Sequence, residues 1–124
     1  MRCLFAILTA LAATGCSDVV TTRFATLEEA KSQRAFERGW LPPLLPDSAR
    51  AIVESDNLDV NTGTGSFEFD LSERTNFLER LTRSGWSLRV EQGTDILTVA
   101  TNGSRWEILL PRRAGQAHWN TRRL

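Results

Sequence analysis

"WSLRVEQGTDILTVATNGSRWEILL", residues 86–110, decides the fold. Asn102-Gly103 is the strongest short hairpin signal, because both residues tolerate the positive φ of a type I′ turn. Centred there, the chain sets Val99 opposite Trp106 and Leu97 opposite Ile108. A second turn at Gln92-Gly93 sets Leu88 opposite Leu97 and Trp86 opposite Val99. Both turns send the same side chains to one face: Trp86, Leu88, Val90, Leu97, Val99, Trp106, Ile108 and Leu110. Ser87, Arg89, Thr98, Arg105 and Glu107 take the other face. A one-residue slip would invert this sorting, so two turns agreeing on one apolar face predict a three-stranded meander.

Upstream, "IVESDNLDVNTGTGSFEFDL" predicts a hairpin about Thr62-Gly63, with Leu58 opposite Phe67 and Val60 on the face of Phe69. "ATLEEAKSQRAFERGW" predicts a helix with a capping box at Thr26 and Glu29 and a left-handed stop at Gly39. "LPPLLPD" then imposes a rigid extended connection, because each Pro fixes φ and lacks an N–H. "SERTNFLERLTRSGW" predicts a second helix, capped by Ser72, striped by Phe77, Leu78 and Leu81, and ended at Gly85. The fold class expected is α+β: an antiparallel sheet, built from the N-terminal hairpin and the C-terminal meander, covered on one face by about two helices.

The organisation expected is a leader over residues 1–15, a lipidated Cys and tether over 16–25, a small α+β domain over 26–110, and a basic tail over 111–124. "MRCLFAILTALAATGC" carries a positive start, an apolar core and small residues before Cys16, which is the layout of a secretory signal. The Cys3–Ala13 core is about half the roughly 20 residues a membrane-spanning helix needs. The stretch "ATGC" resembles the lipobox of bacterial lipoproteins, although Ala13 stands where that family favours Leu. The resemblance implies cleavage after Gly15 and a lipid on the Cys16 sulfur. It also implies a periplasmic location, with the outer membrane favoured over the inner by Ser17 after the Cys. Of the chain's 2 Cys, Cys3 would leave with the leader and Cys16 would become a thioether. No disulfide or thiolate site is then expected.

Charge is balanced, with 15 basic and 15 acidic residues, which argues against nucleic acid as a partner. All the acids precede Pro111, while "PRRAGQAHWNTRRL" contains Arg112, Arg113, Arg122 and Arg123 and no acid. These Arg and Trp119 form a candidate contact with an anionic surface. A tail folded back on the acidic body and a disordered chain end are the competing expectations.

No catalytic, metal or cofactor residues are expected. The 1 His, His118, lies in the basic segment with no second anchor for a triad. Asn57, Asp59, Asn61 and Glu68 fall at calcium-loop spacings, but Thr62 stands where that loop needs Gly. "GTGSFE" lacks the third Gly of a dinucleotide loop. Asp56 or Asp59 with Glu68 or Asp70 could form a hydrolytic carboxylate pair, though solvated strand acids are commoner. Trp40, beside the Pro-rich segment, suits a lid on the core better than a binding groove.

The stretch "AFERGWLPPLLPDSARAI…DNLDVNTGTGSFEFD" is similar to an uncharacterised domain of bacterial membrane-associated proteins, the YbbD head domain, over about Thr26–Asp70. That resemblance implies no activity, substrate or catalytic residue. The function expected is a membrane-anchored, non-enzymatic envelope lipoprotein that binds an unknown protein partner or is structural. The alternative is a periplasmic enzyme inhibitor or immunity-type lipoprotein.

Overall fold

A computed structural model describes residues 18–124; the leader and Cys16 lie outside them. Strand β1 (Val19–Thr26) runs directly into helix α1 (Leu27–Ser32). Strands β2 (Arg50–Asn57) and β3 (Thr62–Glu68) follow, then a 3-10 turn at Leu71–Glu73 and helix α2 (Arg74–Arg83). Strands β4 (Ser87–Glu91), β5 (Thr94–Thr101), β6 (Ser104–Pro111) and β7 (Gln116–Arg123) complete the chain. They form one sheet in the order β1-β2-β3-β7-β6-β5-β4, with every pairing antiparallel.

The expected helix-covered α+β class is therefore corrected. The described chain is dominated by a seven-stranded antiparallel sheet, and its α-helices have 6 and 10 residues. The first helix stops early because Arg34 adopts a left-handed φ of 59°. The Arg34 and Ala35 amides then bond back to Lys31 and Ala30. Gly39 does take the left-handed φ expected of it, but it closes a following turn through the bond from the Trp40 amide to the Ala35 carbonyl. The capping chemistry at Thr26 is present, as its hydroxyl accepts from the Glu29 amide at 3.1 Å. Ser72 does not cap α2; it lies inside the 3-10 turn, and α2 begins without a side-chain cap. Between α1 and β2 the irregular stretch 33–49, which includes the Pro-rich segment, contributes buried Ala35, Leu41, Leu45 and Ala49 to the core.

The meander register is as read from the turns: Val99 pairs with Trp106, Leu97 with Ile108 and Leu88 with Leu97. Trp86 and Trp106 are both buried in the core. The upstream hairpin differs. Asn57 pairs with Thr62, so the connection spans Leu58–Asn61 rather than Thr62-Gly63. Leu58 and Val60 consequently stand exposed at the tip. A bulge between Arg50 and Val53, with Ala51 at φ 48°, restores Ile52 and Phe67 to the core face.

The segment expected as a tether supplies β1, with Phe24 buried against Ile52. The segment expected as a basic tail supplies β7, which lies between β3 and β6 at the centre of the sheet. Ala117 and Trp119 alternate inward from it. The Trp119 ring lies 6.1 Å from Phe67, which meets Phe77 of α2 edge-on at 6.3 Å. Across from Trp119 stands Gly65. A Cβ there would collide with the indole and with the Val53 carbonyl oxygen, so only glycine lets the ring lie flat on β3.

The Gly65→Ala variant is expected to lose about 3 kcal/mol or more of stability, because neither a buried ring nor a ladder carbonyl can give way cheaply. Urea unfolding at neutral pH checks it. Wild-type stability would show that Trp119 does not seat against β3.

Candidate functional site

Two groups of polar side chains sit on the apolar sheet face, and they solve burial in opposite ways. At one end, Asp95 is 3% exposed. It accepts from Arg74 of α2 at 2.8 Å and from Arg112 at 3.1 Å, and Arg74 also donates to the Leu110 carbonyl at 2.9 Å. Burial raises its pKa, but the hydrogen bonds and charges of the two guanidinium groups outweigh that and hold it below the ordinary range. This is a structural clamp joining α2, β5 and the β6–β7 turn.

At the other end lie Glu54 and Asp56, two residues apart on β2 and so on one face. Glu54 is 2% exposed, and its Oε1 has no hydrogen-bond partner among the described residues. Opposite them across the sheet stand Gly65 and Gly63; a Cβ on Gly63 would meet the Asp56 carboxyl, while the space beside Gly65 is taken by the Trp119 indole. Burial, then the charge of Asp56 and a hydrogen bond to it, push the Glu54 pKa up to about 8. Burial also raises Asp56, while its bond with Glu54 opposes that rise. At neutral pH this upward shift favours the protonated, neutral form of Glu54 beside Asp56.

Asp56 also lines a shallow cleft of about 200 Å³ whose walls include Arg38, Trp40, Asn61, Trp106 and Arg122. The half-buried Trp40 packs against the core as expected and is covered by the Arg38 guanidinium at 4.9 Å. No third metal ligand joins the carboxyl pair, and no cluster of three such side chains occurs among the described residues.

The residues singled out from sequence are mostly kept apart. Asn57 caps its own turn by accepting from the Asp59 amide at 3.0 Å. Glu68 stands at the opposite end of β3, about 20 Å away along the strand, so the calcium spacing does not assemble. Asp70 pairs with Arg50 at 3.0 Å, well away from Asp56. His118 is exposed on the outer sheet face between Ser66 and Leu109. Of the candidate surface contacts, Trp119 is 2% exposed and cannot meet a membrane, and Arg112 is engaged by Asp95. Arg113, Arg122 and Arg123 remain exposed. Sequence reading missed Glu54, although its spacing from Ile52 and Asp56 was the available signal.

β1 and β4 are the two edge strands of the sheet. All five residues of β4 are exposed, including Leu88 at 45% and Val90 at 51%. Shallow grooves flank it, one lined by Ser87, Leu88 and Arg105, another by Glu91, Ile96 and Leu109.

Residues 18–68 match the family model of the YbbD head domain, so the chain's N-terminal part resembles that domain from β1 to the end of β3. The carboxyl pair falls inside the match; β4 to β7 fall outside it. No curated protein and no solved structure matches the chain.

The pH dependence of stability should report the Glu54 proton. The unfolded carboxyl titrates near 4.5 and the folded one near 8. Its contribution is thus fully present below 4.5 and is lost as pH rises to 8, at up to about 1.4 kcal/mol per pH unit. Glu54→Gln is expected to flatten that decline and to raise the melting temperature at pH 8.5. Parallel wild-type and variant curves between pH 5 and 8.5 would place the proton elsewhere. Asp95 acts in a separate window, since its stabilisation is lost only as pH falls below the ordinary carboxylate range.

Proposed function

We propose that this chain is a lipid-anchored, non-enzymatic domain of the bacterial cell envelope that binds a protein partner through its open sheet edge. The single observation that carries the binding reading is β4. It offers unpaired backbone groups beside exposed Leu88 and Val90, the combination used when a partner adds a strand. In the carboxyl pair, by contrast, Glu54 is buried and Asp56 half-buried at a shallow cleft, and no third metal ligand joins them among the described residues.

The anchor reading rests on "MRCLFAILTALAATGC". Among the described residues no helix is long and apolar enough to cross a membrane. Each buried acyl CH₂ contributes about 0.8 kcal/mol, and one chain alone binds marginally, so stable retention needs the two or three chains that lipoprotein processing adds. Ser17 after the Cys favours the outer membrane. A second reading, an enzyme inhibitor or immunity-type lipoprotein, is favoured by the exposed Leu58 and Val60 at the β2–β3 tip, an apolar loop suited to entering a cleft.

Cys16→Ser is expected to leave the leader uncleaved and the chain without lipid, read by intact mass of the membrane fraction. A wild-type mature chain carrying a free thiol at Cys16 would remove the anchor. A photoactivatable residue placed in cells at Gln92 or at Val60 separates the binding readings. Partner cross-links at Gln92 support the β4 edge, and a single enzyme captured from Val60 supports the inhibitor.

A further inference from the structure

We infer that the partner on the β4 edge is a second copy of this chain, paired antiparallel about a twofold axis at Val90; this rests on the binding role proposed for that edge. Gln92 and Gly93 have φ of 48° and 77°, the type I′ geometry of a two-residue hairpin. In that turn the flanking residues Glu91 and Thr94 exchange backbone hydrogen bonds. Alternation along the antiparallel ladder then directs the N–H and C=O of Arg89 toward Ile96 and those of Leu88 and Val90 outward.

A second β4 can meet these outward groups in few registers. An axis at Arg89 sets two guanidinium groups against each other. An axis at Glu91 does the same with two carboxylates. An axis at Leu88 leaves Arg89 opposite Ser87 and matches no charge. An axis at Val90 lets the two Val90 residues exchange both backbone bonds. It also sets Arg89 of each copy opposite Glu91 of the other, at the non-hydrogen-bonded sites where side chains come closest. Leu88 and Val90 of both copies then share one face, extending the apolar side of the sheet.

Charges at an edge ordinarily prevent pairing; here their spacing rejects the like-charged registers and admits one. Within one copy Arg89 already lies 3.0 Å from Glu91 and 3.5 Å from Glu107, so its guanidinium is held on the outer face where the second copy's Glu91 arrives. The edge is short, and the pair is correspondingly weak in dilute solution. Confinement of both copies to one membrane raises their effective concentration.

The test uses full-length chains in native membranes, co-expressed with two different tags and a photoactivatable residue at Gln92. Wild-type copies should cross-link to each other. Arg89→Glu paired with itself, and Glu91→Arg paired with itself, set like charges across the axis at both positions and should cross-link about tenfold less. Arg89→Glu mixed with Glu91→Arg restores two opposite pairs and should return to the wild-type yield. Unchanged melting temperatures establish that both variants are folded. Undiminished self-cross-linking of either variant, or a mixture that stays low, overturns the twofold at Val90. Cross-links solely to a different protein overturn self-pairing while leaving the binding role intact, and no cross-link to any protein removes both.

Discussion

The indole of Trp119 lying on the bare backbone of Gly65 is the contact on which the sheet depends. Without β7 the chain is two three-stranded meanders, β1-β2-β3 and β6-β5-β4, each with an open edge and an apolar face too small to bury by itself. β7 enters between them, pairing with β3 through Thr62–Glu68 on one side and with β6 through Ser104–Leu109 on the other. Its inward residues Ala117 and Trp119 bring the Phe67 and Ile108 sides into one core. β7 is thus the strand that joins the two halves into one sheet.

Around that core the sheet face ends in two unlike polar devices. Asp95 is surrounded by cations and stays ionised, so it clamps α2 to the sheet by charge. Glu54 has an anion for a neighbour and no cation, so it stays neutral by keeping a proton. The stabilisation from the first is lost as acid protonates Asp95, and that from the second as alkali removes the Glu54 proton. The two glycines of β3 divide the work: Gly63 leaves space beside the Asp56 carboxyl, and Gly65 leaves space for the Trp119 ring.

The meander was legible because its signals were local and mutually consistent: two two-residue turns independently sorted Leu97, Trp106, Ile108 and Leu110 to one face. β7 was hidden by its composition. In "QAHWNTRR" only Ala117 and Trp119 are apolar, since a strand flanked on both sides needs few inward residues when one of them is Trp. β1 was hidden likewise, with Phe24 its one deeply buried side chain. Helix α1 was overextended because its stop, Arg34 in a left-handed conformation, carries no glycine signal. Placing the hairpin turn at Thr62-Gly63 followed the usual preference for two-residue loops; the four-residue loop wins because Gly63 is needed inside β3, opposite Asp56. The carboxyl pair was half visible, with Asp56 noted and Glu54 passed over, because a glutamate on the core face reads as an exception.

Strand β1 begins at Val19, so the leash shrinks. A flexible segment running to residue 25 would have let the domain wander about 35 Å from Cys16; Ser17 and Asp18 alone allow about 10 Å. In the anchored state proposed here, the base of the domain stays within about 10 Å of its lipid attachment, and its encounters with neighbours are mainly lateral. Neighbours held on the same membrane, tall ones by their lower flanks, are the proteins that a mooring of this length brings within reach.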